Sequence, residues 1–248
     1  MVGKPLFQRY TGTYWGAWMK DTYRKTSPDV NKFWFTRHFT GKLLYEYTNQ
    51  DEFRANRETK VYDLADLYFG TGHAVYDGAF FYHKTGTRNV IKFDLDREAV
   101  VGSVAIPNAA YQGKHYVYST EYNYFDLASD ENGLWVIYSA ENEASSLLVS
   151  KINPYLMEIE KTWNITVRHG GYGNGFITCG VLYLIRNTHA KSTLIDFAYD
   201  LYTKERLTNV RLQFTNPFQM NNMISYNPLE GRIYSWDKGN QLTYPLLL

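Results

Sequence analysis

The sequence predicts an all-β fold, a five-bladed β-propeller closed by an N-terminal strand in the last blade, and three observations predict it. A short phrase, a turn followed by an aromatic-rich apolar strand, recurs as NKFWFT (31–36), DGAFFY (77–82), NGLWVI (132–137), CGVLYL (179–184) and EGRIYSW (230–236). Four copies carry a turn glycine, Gly78, Gly133, Gly180 and Gly231, at spacings of 55, 47 and 51 residues. A strand-and-turn period near that length marks a radial β array, because one small sheet cannot bury both faces until it stacks on its neighbours.

The second observation is a partner phrase about a dozen residues downstream of each first one, the distance needed for a hairpin turn and a returning strand. Its copies are GKLLYEYT (41–48), RNVIKFDL (88–95), LLVSKINP (147–154), TLIDFAYD (193–200) and NQLTYPLL (240–247). Upstream apolar runs at 16–21, 72–78, 125–133, 175–180 and 223–231 supply an inner strand, and runs such as 98–107, 157–165 and 205–214 an outer one. The third observation is that the last unit lacks its outer strand, while KPLFQRYTG (4–12) stands unused before the first inner strand. Joining the two ends closes the ring and removes open edges. Residues 1–248 are accordingly expected to form a single propeller domain.

Composition limits the function classes. Aromatic residues make up 17% of the chain, with 23 Tyr, 14 Phe and 6 Trp, enough rings to fill the wedges between blades. A net charge of +1 gives no footprint for nucleic acid or a membrane-seeking face. No run reaches the roughly 20 apolar residues of a membrane span, and no apolar signal core follows Met1. The triplet Asn164-Ile165-Thr166 is an acceptor pattern for N-glycosylation, which would place the chain outside the cell.

Other patterns carry little chemistry. Asp130-Glu131-Asn132-Gly133 lacks the spacing of an EF-hand loop and reads as a strand-joining turn. The six histidines show no zinc spacing, and His73, on an inner strand, reads as a structural histidine. No G-x-S-x-G elbow is present, and Gly70-Thr71-Gly72 lacks the remaining glycines of a dinucleotide site.

The stretches YWGAWMKD (14–21), GTGHAVYDGAFFY (70–82), RNVIKFDL (88–95), DLASDENGLWVIYS (126–139), NGFITCGVLY (174–183) and MISYNPLEGRIYSWD (223–237) resemble, in family order, the olfactomedin domain of secreted and cell-surface proteins. The resemblance implies a five-bladed propeller and an extracellular, non-catalytic recognition role. It also implies a disulfide from Cys179 to a cysteine upstream of Gly3; a lone cysteine read without the family is ordinary core packing. Many members hold calcium in the central channel, and Asp126, Asn174, Gly175 and Ile224 match four of the five ligand positions. The fifth is Ser225 in place of an aspartate, a reserve aspartate is replaced by Tyr124, and Ser119-Thr120-Glu121 replaces a glycine-rich turn. Calcium affinity follows the number of ligand charges, so a weak or absent calcium site is expected and no other cofactor.

Two function classes follow. The first is a cell-adhesion module; the resemblance is to node-of-Ranvier matrix members of the family, which implies binding of the axonal immunoglobulin-superfamily proteins neurofascin and NrCAM and a part in clustering sodium channels. Such a domain would be monomeric alone and made multivalent by segments outside it. The alternative is a lactonase-like hydrolase in which a channel metal activates water. Candidate partner-binding residues are the basic run Arg54, Arg57 and Lys60, and the loop Tyr23 to Asn31 with Arg24 and Lys25.

Overall fold

The computed structural model describes residues 1–23, 28–141 and 143–247, so Arg24 and Lys25 lie outside the described residues. Strand β1 (Leu6–Tyr10) is set aside by the chain until the end. The first blade is β2 (Gly16–Met19), β3 (Phe33–Arg37), β4 (Thr40–Tyr47) and β5 (Lys60–Phe69). The second is β6 (Ala74–Tyr76), β7 (Ala79–His83), β8 (Asn89–Asp94) and β9 (Ala99–Ala105). The third is β10 (Phe125–Asp130), β11 (Gly133–Ala140), β12 (Glu143–Asn153) and β13 (Glu158–Ile165).

The fourth blade consists of β14 (Asn174–Thr178), β15 (Val181–Ile185), β16 (Ser192–Asp200) and an outer edge in two pieces, β17 (Glu205–Arg206) and β18 (Leu212–Thr215). The sequence read 205–214 as one strand; Asn209, at φ +63°, turns the backbone left-handed between the two pieces. The last blade is β19 (Asn221–Asn227), β20 (Arg232–Asp237) and β21 (Asn240–Pro245), completed by β1. Leu6 pairs with Thr243 and Tyr10 with Asn240, antiparallel, so both chain ends share one sheet and the predicted closure is borne out.

Burial follows position in the blade. The inner strands β2, β6, β10 and β14 are buried at every residue, as expected of strands covered on both faces, while outer strands such as β13 are mostly exposed. The tight β6–β7, β10–β11, β14–β15 and β19–β20 hairpins contain the repeated glycines. Gly78, Gly133, Gly180 and Gly231 all have positive φ, and in the Asp77-Gly78 and Cys179-Gly180 turns both residues do, the backbone that matches the twist of a two-residue hairpin.

Aromatic wedges fill the seams, and polar side chains lock them. Trp18, Trp34, Trp135 and Trp236 are fully buried. The indole N–H of Trp18 donates to the Ser235 carbonyl at 2.9 Å, tying first blade to last, and that of Trp163 donates to the Leu201 carbonyl, tying third to fourth. Carboxylates from one blade also hold the hairpin of the next: Asp21 accepts from the Gly78 amide at 2.7 Å, and Asp130 from the Gly180 amide at 2.7 Å.

One element escaped the sequence reading. Between β4 and β5 lies a short helix, α1 (Gln50–Ala55), which carries Arg54 of the basic run in its last turn. Asn49 accepts from the Glu52 amide at its start, and Asn56, left-handed at φ 54°, ends it. A helix of 6 residues is too short to show a hydrophobic period, but it delivers Phe53 into the seam between first and last blades.

Candidate functional site

The inner strands β10, β14 and β19 lie side by side at the centre of the ring and bring Asp126, Asn174, Gly175 and the Ile224–Ser225 pair to one region. Asp126 is buried, and its Oδ2 accepts a hydrogen bond from the Tyr118 hydroxyl at 2.7 Å. Burial pushes the Asp126 carboxyl up to about 7, against the opposing effect of that hydrogen bond. Burial and the neighbouring Asp126 charge likewise hold the Tyr118 phenol well above its ordinary range, so it stays a donor.

Asn174 is also buried, and its side-chain carbonyl accepts from the Gly175 amide at 2.8 Å. The amide NH2 is a donor only and offers no lone pair to a cation. Gly175 is needed for close approach: a Cβ there would stand 2.8 Å from Leu184 Cδ2 and 3.1 Å from the Tyr118 hydroxyl. The tip of Tyr118 therefore rests against two of the residues matched to calcium ligands. The Ile224 side chain packs into the core between fourth and last blades, and Ser225 is half-buried.

These residues offer calcium one carboxylate, Asp126, where the resemblance implied a second. The ion takes six to eight oxygens and is drawn by carboxylate charge. Here the Asp126 Oδ2 accepts from a phenol, the Asn174 oxygen accepts from a backbone amide, and Ser225 brings no charge. Tyr124, at the reserve position, turns away: its hydroxyl donates to the Gly113 carbonyl at 2.8 Å and its ring stacks on Phe69. Among the described residues no three His, Cys, Asp or Glu side chains gather into a group able to hold a metal.

The segment that replaces the glycine-rich turn closes over this region. Thr120 donates to the Gly173 carbonyl at 2.9 Å, Asn123 accepts from the Thr71 amide at 2.6 Å, and Thr71 donates to the Asn222 carbonyl at 2.7 Å. A small cavity of about 260 Å³ lies above, lined by residues that include Trp15, Thr120, Glu121, Tyr122 and His189. Tyr122 is held at φ +76° and stacked on Phe39 at 3.9 Å. The sequence missed Tyr118 because it sits in an irregular loop with no period to place it.

The family of the olfactomedin-like domain matches this chain over residues 1–248. The chain belongs to that family. The olfactomedin-like domain is 36% identical over 254 aligned positions to myocilin of Oryctolagus cuniculus, covering all of this chain and 51% of that protein. It is 34% identical to myocilin of Homo sapiens, covering 50% of it. The chain thus spans about half the length of these curated relatives. Among solved structures, glutaminyl cyclase of Myxococcus xanthus superposes with a TM-score of 0.55 at 11% identity, over all of this chain and 97% of that one, a likeness of fold alone.

The remaining candidate residues are dispersed around this olfactomedin-like domain. Cys179 is exposed in the β14–β15 turn, which departs from the core-packing alternative. Partial burial and the nearby carboxylates Glu131 and Asp130 raise its thiol, which disfavours the thiolate. Asn164 is exposed on outer strand β13, open to a glycan. The basic run divides in three: Arg57 pairs with Glu52 through two contacts of 2.9 and 3.0 Å, Lys60 pairs with Glu98 at 2.8 Å, and Arg54 donates at 3.0 Å to the neutral Gln8 side chain. His73 does not face the channel; it is buried between the Tyr68 and Phe80 rings.

Proposed function

We propose that this domain is an extracellular cell-adhesion module, secreted or held at the cell surface or matrix, that recognises other proteins and carries out no catalysis. The finer reading is gliomedin-like: it binds the axonal adhesion molecules neurofascin and NrCAM and helps cluster sodium channels at nodes of Ranvier. That finer reading rests on the sequence resemblance, since the relatives compared above are myocilins.

The observation that carries the recognition reading is the state of the ring's interior. Its central carboxylate accepts from a phenol and its central amide oxygen from the backbone, so both groups are engaged within the fold. What remains for function is the outside of a rigid closed scaffold, where loops and blade seams meet partners. The hydrolase alternative needs a poised base or a metal-activated water, and Asp126, the one central carboxylate matched to a ligand position, is held by Tyr118.

The test is binding of the isolated domain to immobilised neurofascin and NrCAM ectodomains. Saturable binding with modest affinity is expected, because one copy lacks the multivalency that outside segments would add. No binding to either ectodomain by folded protein would reject the gliomedin-like reading.

A further inference from the structure

The seam that closes the ring also forms a cleft of about 590 Å³, between the first blade, the last blade and α1. Its floor is the buried rings of Trp18, Phe33 and Tyr234. Two arginines line it without a carboxylate partner among the described residues. Arg54 donates only to Gln8, whose oxygen also accepts from Gln50 at 2.9 Å, and half-buried Arg232 has no hydrogen-bond or ion-pair partner there.

One of the two acidic residues that line the cleft is already satisfied. Glu230 accepts from Lys20 at 2.5 Å and from the Tyr234 hydroxyl at 2.6 Å, so its charge is offset within the cleft wall. Asp51 and Arg54 both lie exposed at the rim, where solvent screens them, so half-buried Arg232 is the less screened of the two arginines. Behind the floor, Arg9 is buried with only neutral acceptors, adding a further uncompensated positive charge to the seam.

We infer that this cleft is a carboxylate-binding site that receives an aspartate or glutamate side chain from a partner protein's loop. The inference rests on the recognition reading above and gives it a location and a chemistry. Guanidinium groups present paired N–H donors that match a carboxylate, and two that line one cleft without a carboxylate partner among the described residues favour an acidic occupant over a neutral or basic one. The aromatic floor and the Gln8 and Thr243 side chains leave room for the stem that carries the acid.

The cleft is tested first without any partner. Amide shifts of the intact domain are followed during titration with an N-acetylated triglutamate peptide and with its triglutamine twin. Saturable shifts at Gln8, Arg54 and Arg232 with the acidic peptide alone, lost in Arg54→Glu/Arg232→Glu, are expected. Their absence up to about 10 mM peptide, tenfold beyond a weak millimolar site, overturns the inference. The second arm uses the neurofascin and NrCAM ectodomains. The double reversal should lower affinity at least about tenfold, while Lys191→Glu on the fourth blade leaves it unchanged. Unchanged affinity in a double variant that melts like the parent overturns the cleft, and so does loss of binding on sialidase treatment, which would assign the carboxylate to a glycan. Failure of the unaltered domain to bind either ectodomain rejects the gliomedin-like reading, and the peptide titration still decides the cleft.

Discussion

The guanidinium of Arg9 lies 4.5 Å from the centre of the Phe53 ring and donates to the Phe53 carbonyl at 2.8 Å, fastening the N-terminal strand to the helix of the first blade. Arg9 belongs to the last blade through β1, so this single contact bridges the closure. It also donates to Asn56 at 3.0 Å and stands over the Phe35 and Tyr47 rings. Arg9→Ala is expected to cost roughly 2–4 kcal/mol, the scale of charge-assisted hydrogen bonds lost from a buried site. Arg9→Lys should recover only a part, because an ammonium cannot stack flat on three rings while donating to two acceptors. Urea unfolding of the three proteins checks this; equal stability of Arg9→Ala and parent would remove Arg9 from the closure.

Asp130 provides a second test of how blades are joined. Buried to 3% exposure, it accepts from the Trp135 indole at 2.7 Å, the Asn132 amide at 2.8 Å and, across the seam, the Gly180 amide. Asp130→Ala leaves those donors buried without acceptors, and a loss of about 3 kcal/mol is expected. Asp130→Asn should cost less, since its one oxygen keeps one or two of them. Chemical denaturation of both variants gives the comparison, and a loss confined to Asp130→Asn would contradict it.

Repetition made the ring legible in sequence. The glycine turns announced left-handed hairpins because few other residues adopt that backbone cheaply, and Gly78, Gly133, Gly180 and Gly231 all do so. The unpaired run 4–12 announced its place because the last blade lacked an edge. What stayed hidden depends on side chains meeting across distant segments. Tyr118 lies 8 residues from Asp126 in an irregular loop, and nothing local says that its hydroxyl reaches that carboxylate. Arg54, Arg57 and Lys60 read as one basic patch, yet Glu52 and Glu98 neutralise two of them through folding.

Tyr118 and Ser225 set the expected response to calcium. A ligand bound only by the folded state raises stability by mass action, by about 2.7 kcal/mol at a hundredfold excess over Kd. The unaltered domain should melt at the same temperature in millimolar calcium and in EDTA. Tyr118→Phe/Ser225→Asp frees the Asp126 oxygen and restores a second carboxylate, and should acquire a calcium-dependent rise. A clear rise in the unaltered domain would show that the phenol yields to the ion.

Acid should weaken the fold through two buried histidines. Burial pushes His73 down to about 3 and His83 down to about 4, below the unfolded value of about 6.5. The unfolded chain therefore takes up protons first as pH falls from 6.5, and each histidine costs roughly 2 kcal/mol by pH 5. Asp126 works in the opposite direction: raised to about 7, its carboxyl is protonated in the folded state while the unfolded chain still carries a carboxylate, so its contribution is lost as pH rises towards 7. The three together leave a net loss of roughly 1–2 kcal/mol between pH 7.5 and 5. Asp126→Asn removes the offsetting part, so the acid loss should steepen to roughly 4 kcal/mol, and the variant compares best with the parent at pH 8, where Asp126 would be charged in both states. Urea unfolding in EDTA at pH 5, 6.5 and 8 measures both slopes, and parallel profiles for the two proteins would mean that Asp126 keeps an ordinary carboxylate in the folded ring.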